Sequence, residues 1–124
     1  MIKGIGLDIV EIQRIRKIST SQPRFAERIL TEVEQKIYCK LSVDRQVEYL
    51  AGRFAAKEAF SKALGTGIGR EVGFQDIEII NDERGKPIIS KPFSQGVHLS
   101  VTHTKEYAAA QIIKEKKKRT GNGF

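Results

Sequence analysis

Residues 53–81, RFAAKEAFSKALGTGIGREVGFQDIEIIN, change period part-way, and that change decides the fold. Up to Leu64 the residues are strong helix formers with apolar side chains at helical spacing, the second half of a predicted helix over 45–64. Gly65 follows the last periodic residue and suits a left-handed C-terminal cap. After GTGIGR the period falls to two, and 74–81 (FQDIEIIN) reads as a strand. Downstream, DERGKP is a turn, 87–91 a short strand closing a hairpin, and 97–103 with 106–113 a second hairpin across Thr104 and Lys105. Upstream, 24–40 has helical periodicity in Phe25, Ile29, Val33 and Ile37, with Thr31 a cap ahead of Glu34. Ser19 to Pro23 separates that stretch from an earlier helix carrying Ile12, Ile15 and Ile18. Residues 2–10 alternate as a strand, with Ile5, Leu7 and Ile9 on one face and Gly4, Gly6, Asp8 and Val10 on the other. One strand, then helices, then a meander of strands predicts an α+β fold with an antiparallel sheet packed against helices.

The chain has 124 residues, enough for one modest core, and 40% of them are apolar. No run approaches the ~20 apolar residues of a membrane span, and Asp8 and Glu11 interrupt the N-terminal stretch that would otherwise suggest a signal. One cysteine, Cys39, excludes an internal disulfide framework and fits a reducing cytoplasm. The net charge of +7 is uneven: 114–124, KEKKKRTGNGF, carries five bases and one acid, leaving +3 for 1–113. The division expected is therefore a folded domain over 1–113 and a basic, disordered tail over 114–124.

Four sets of residues could carry chemistry. Helical spacing puts Glu58, Ser61 and Lys62 on one face; a Glu–Lys surface pair explains them as readily as a site does. Gly65, Gly67 and Gly69 could offer backbone N–H groups to phosphate, although a helix cap followed by a turn accounts for them equally. Asp8, between Leu7 and Ile9, is costly if buried alone, so it binds a cation or accepts several hydrogen bonds. With Glu58 it could form a two-carboxylate, water-completed Mg²⁺ site. His103 ends a strand beside Thr104 and could equally be an ordinary turn histidine. Cys/His clusters suited to zinc are missing from the sequence.

The segments GIGLDIVEI (4–12), AGRFAAKEAFSKALGTGIG (51–69), FQDIEI (74–79), GKP (85–87) and VTHTKEYAAAQ (101–111) resemble those of holo-acyl-carrier-protein synthases, small single-domain 4'-phosphopantetheinyl transferases. The resemblance runs from Met1 to about Ile113 and leaves the tail without a counterpart. It implies that a carrier-protein serine attacks the β-phosphate of coenzyme A, releasing adenosine 3',5'-bisphosphate. Mg²⁺ dependence and a homotrimer with active sites between subunits are implied too. By motif, Asp8 and Glu58 resemble the metal ligands and Lys62 the diphosphate-contacting lysine, these three forming the catalytic set. Arg53, Ser61, Gly65, His103 and Thr104 resemble residues around the coenzyme, and Arg14, Arg24, Phe25 and Arg28 the docking surface for acyl carrier protein, with Phe25 as its apolar anchor. Glu58, or a metal-bound water, is the candidate base. A basic RNA- or ribosome-binding protein is the rival reading, carried by charge alone, and it leaves Asp8 and Glu58 unexplained.

Overall fold

The computed structural model describes residues 1–116. Strand β1 (Ile2–Glu11) leads into α1 (Ile12–Ser21), α2 (Phe25–Ile29), α3 (Glu32–Tyr38) and the long α4 (Val43–Leu64). Strands β2 (Glu78–Asn81), β3 (Pro87–Lys91), β4 (Val97–His103) and β5 (Tyr107–Glu115) follow. They form two antiparallel sheets, a three-stranded one ordered β1-β5-β4 and the β2-β3 hairpin. The α+β class and the antiparallel pairing match the sequence reading.

Several boundaries moved, each for a local reason. The 24–40 stretch is two helices, because Thr31 breaks it with a capping box: its hydroxyl accepts from the Glu34 N–H while Glu34 reaches back to the Thr31 N–H. Residues 74–76 form a single 3-10 turn, closed by the Asp76 carboxylate on the Gly73 N–H at 2.8 Å, so strand pairing starts only at Glu78. Strand β5 continues to Glu115, whose N–H donates to the Gly96 carbonyl, and so runs past the expected domain edge at 113. Residues 117–124, most of the predicted tail, lie outside the described residues.

Helix α4 is the centre of the packing. Leu50, Ala51, Ala55, Ala56, Ala59 and Phe60 are fully buried, Phe60 alone contributing about 2–3 kcal/mol of apolar burial. Its alanines allow close approach to the sheet. Gly4 and Gly6 complete that fit: a Cβ on Gly6 would lie 1.7 Å from the Ala59 carbonyl oxygen, and one on Gly4 2.0 Å from that of Ala63. Ala108 and Ala110 of β5 lie in the same buried face, so the alanine run that favours helix by propensity is a strand here because tertiary packing needs small residues in the central strand. The glycine face of β1 is thus the inner one. Ile5, Leu7 and Ile9, the apolar face, point outward with about 60% exposure each.

Candidate active site

Asp8 sits mid-strand on the inner face of β1, paired with Ala110 of β5, and its side chain is 16% exposed. Because α4 rests directly on Gly4 and Gly6, the next side chains along the strand and helix meet at the edge of that contact. There the Lys62 ammonium donates to Asp8 Oδ1 and to the Leu7 carbonyl, each at 3.0 Å. Glu58, one turn earlier on α4, is half-buried. Desolvation raises its carboxyl pKa above the ordinary value, the negative charge of Asp8 raises it further, and Lys62 partly opposes both. The two carboxylates and the lysine are therefore one electrostatic unit.

Two carboxylates whose charges disfavour each other suit a divalent cation that neutralises both. This is the donor set of an ion that completes its shell with water and phosphate oxygens. Among the described residues no group of three or more His, Cys, Asp or Glu side chains is placed to hold a metal, so any cation here would depend on this pair.

Other residues are placed differently from the expectation. Ser61 is fully buried and its hydroxyl donates to the Glu58 backbone carbonyl at 2.7 Å, leaving it no route to a ligand. Gly65 adopts φ +84°, a left-handed cap, and the N–H groups of Gly65, Thr66 and Gly67 all return to the carbonyls of Ser61 and Lys62. Gly69 donates to the Val72 carbonyl. The capping reading of these glycines holds, and the phosphate-cradle reading fails because the donors are already engaged. Thr104 shapes the β4-β5 turn, its hydroxyl oxygen accepting from the N–H groups of Glu106 and Tyr107.

Arg53 and His103 form a second locus. They line a cavity with Arg45, Tyr49 and Asn81 that contains none of Asp8, Glu58 or Lys62. Helix geometry explains the separation: Lys62 lies nine residues beyond Arg53, about 13 Å along the axis and about 180° around it. The Arg53 guanidinium stacks 4.3 Å from the Tyr49 ring centroid, and its buried Nε lacks a partner among the described residues. Sequence reading missed Arg45 and Tyr49, although their spacing with Arg53 at four-residue steps marks one helical stripe.

The expected docking residues split. Arg14, Arg24 and Arg28 are exposed; Arg24 pairs with Glu27 at 3.3 Å and Arg28 with Gln22. Phe25 instead turns inward, its ring 6.1 Å from that of Phe54 in the core. It cannot be an exposed apolar anchor, because the i, i+4 stripe it shares with Ile29 is the one α2 buries.

The fold and the carboxylate–lysine unit define a small α+β protein with two carboxylates and a lysine gathered on the seam between β1 and α4. Residues 4–112 match the family model described as the 4'-phosphopantetheinyl transferase superfamily. The chain is 63% identical over 118 residues to the holo-[acyl-carrier-protein] synthase of Bacillus pumilus, covering 94% of this chain and 98% of that one. Among solved structures it resembles a holo-(acyl-carrier-protein) synthase of Bacillus anthracis in complex with CoA (3',5'-ADP), with a TM-score of 0.86, 54% identity, and 94% and 99% of the two chains covered. A Helicobacter pylori holo-[acyl-carrier-protein] synthase in complex with coenzyme A matches with a TM-score of 0.77, 33% identity, and 90% and 99% coverage. This chain belongs to the 4'-phosphopantetheinyl transferase superfamily.

Proposed function

We propose that this protein is a holo-acyl-carrier-protein synthase, transferring 4'-phosphopantetheine from coenzyme A to a serine of apo acyl carrier protein. The observation that carries the reading is the unit of Asp8, Glu58 and Lys62 on the seam between β1 and α4, within a chain 63% identical to such a synthase. In the reaction the serine oxygen bonds to the β-phosphorus of coenzyme A as the bond to adenosine 3',5'-bisphosphate breaks. Phosphoryl transfer of this kind needs positioning and charge neutralisation more than covalent participation by the protein. Glu58, whose proton affinity is raised by burial and by the charge of Asp8, or a water beside it, takes the serine proton. Lys62, about half exposed, can leave Asp8 for a phosphate oxygen and stabilise the charge that develops there. Mg²⁺ held by Asp8 and Glu58 would supply further charge neutralisation on the diphosphate.

The coenzyme's remaining phosphate suits the cavity of Arg45, Arg53 and His103, whose buried Arg53 Nε is an unused donor. That cavity and the Asp8 unit lie on opposite sides of α4, so one protomer's cavity would serve its neighbour's carboxylates. The outward face of Ile5, Leu7 and Ile9 supports such an assembly, because contiguous exposed apolar surface marks interaction sites; the number three follows the family resemblance. Arg14, Arg24 and Arg28 would receive the acidic carrier protein, with Phe25 fixing α2 from beneath. The protein would work in the cytoplasm; Cys39 is a free cysteine, and no helix among the described residues is long and apolar enough to cross a membrane. The test is incubation with coenzyme A, Mg²⁺ and apo carrier protein, followed by mass spectrometry. A serine carrying the added phosphopantetheine is expected, and an unmodified serine overturns the reading.

A further inference from the structure

Helix α2 has five residues, far too few to be stable by itself, and its last carbonyls have no partners within the helix. Side chains from distant segments take up that role. The two N–H groups of the Gln75 amide, in the 3-10 turn at 74–76, donate to the carbonyls of Glu27 at 2.6 Å and Leu30 at 2.7 Å, one of them shared with that of Arg28 at 3.3 Å. The Lys57 ammonium takes the remaining one, Ile29, at 2.7 Å. Gln35 also reaches Leu30 at 3.0 Å and Glu27 at 3.5 Å, but among the described residues only Gln75 reaches the carbonyl of Arg28. Lys57 is fully buried, whereas Gln75 is exposed, so Gln75 can be altered without opening the core.

We infer that Gln75 is a positioning residue for the carrier protein: it clamps the C-terminal end of α2 and so sets the direction in which Arg24 and Arg28 are presented. The inference rests on the proposed docking role of those arginines. Gln75 touches no reacting group. Its effect runs through the orientation of a helix too short to orient itself.

The experiment compares Gln75→Met, which keeps the length and loses both donors, with Arg28→Glu, in the full chain. Hydrogen exchange should quicken at the Ile29 and Leu30 amides of Gln75→Met and stay unchanged in α4. The specificity constant for apo carrier protein should fall roughly three- to tenfold through KM, the scale of a lost hydrogen bond. KM for coenzyme A should not move. The loss should persist at high salt, whereas that of Arg28→Glu should shrink as its charge is screened. Gln75→Glu, equally donor-free, should show the same quickened exchange and provides the measurement if the Met variant folds poorly. Unchanged α2 exchange, unchanged carrier-protein kinetics, or equal losses toward both substrates overturns the inference. If Arg28→Glu impairs carrier-protein use and Gln75→Met does not, the clamp alone is refuted; if Arg28→Glu has no effect, the docking role itself falls.

Discussion

Helix α4 presents two lysines five residues apart, each bonded to a carboxylate, and the two pairs behave as opposites. Lys57 and Glu34 are both fully buried and 2.6 Å apart. All three Lys57 donors are engaged, by Glu34 and by the carbonyls of Ile29 and Phe74, while Glu34 also accepts from the N–H groups of Thr31 and Ile79. Burial lowers the Lys57 pKa, and the Glu34 charge beside it pushes the other way. Lys62 and Asp8 are 3.0 Å apart, with Lys62 51% exposed and able to change partners. The same ionic contact is therefore a fixed joint in one place and a movable contact in the other. Burial and saturation of donors make the difference.

The sharpest way to break this contrast is to remove one member of each pair. Asp8→Ala and Glu58→Ala should each cost about 10²–10³ in transfer rate while melting near the parent temperature. Their combination should be little worse than either, because parts of one unit are non-additive; additive losses in the mass-spectrometric assay would mean they do not act together. Lys57→Met should destabilise the fold by about 3–5 kcal/mol in denaturant titrations, since it strands a buried carboxylate. Lys62→Met should change stability by no more than about 1 kcal/mol yet impair transfer strongly. Similar stability losses for the two lysine variants would erase the distinction.

Leu7 links the movable pair to the outer face of β1, its carbonyl holding Lys62 and its side chain facing outward. Leu7→Asp should leave the Lys62 contact in place but reduce the mass measured by sedimentation to that of one protomer and lower activity with it. A protomer-sized parent of full activity would remove the case for a shared site. The smallest effect expected is on pH. The Glu58 pKa is raised in the folded protein, so the folded state holds this proton more tightly than the unfolded one. Its contribution to stability must fall as pH rises from the ordinary carboxylate pKa through the raised value. In chelator, Glu58→Gln should flatten that fall and melt slightly higher at neutral pH; parallel melting curves across pH would contradict it.

Much of this was legible in the sequence because it rests on local signals. The Thr31 capping box, the Gly65 cap and the two hairpins each depend on residues within one or two turns of each other. The carboxylate–lysine unit was legible in part, from Asp8 as a lone carboxylate in an apolar strand and from the motif around 53–69, although Asp8 meets α4 across 54 residues of chain. Lys57 was not legible at all. A lysine within an alanine-rich helix reads as solvated, and its partner Glu34 lies 23 residues away with no pattern linking them. Phe25 was legible in its packing: its helical stripe with Ile29 indicates a buried position, and α2 buries both. The split of Arg53 and His103 from Asp8 depends on turning half-way around a helix, which matching motifs along a chain does not register.

The backbone contact of α4 with Gly4 and Gly6 has a consequence for tolerance to change. Main chain rests on main chain there, with no rotamer between them, so the spacing from Asp8 to Glu58 and Lys62 works like a machined stop rather than a cushion. A core substitution such as Ile15→Val alters how well the cushion elsewhere is filled, and a looser core shifts the melting temperature first. The stop itself yields only to a residue with a Cβ at position 4 or 6, which would lift the helix bodily off the strand and separate the charges together. This protein can thus lose stability in small steps across most of its interior, while the alignment of its reactive groups has two positions at which a single methyl group undoes it.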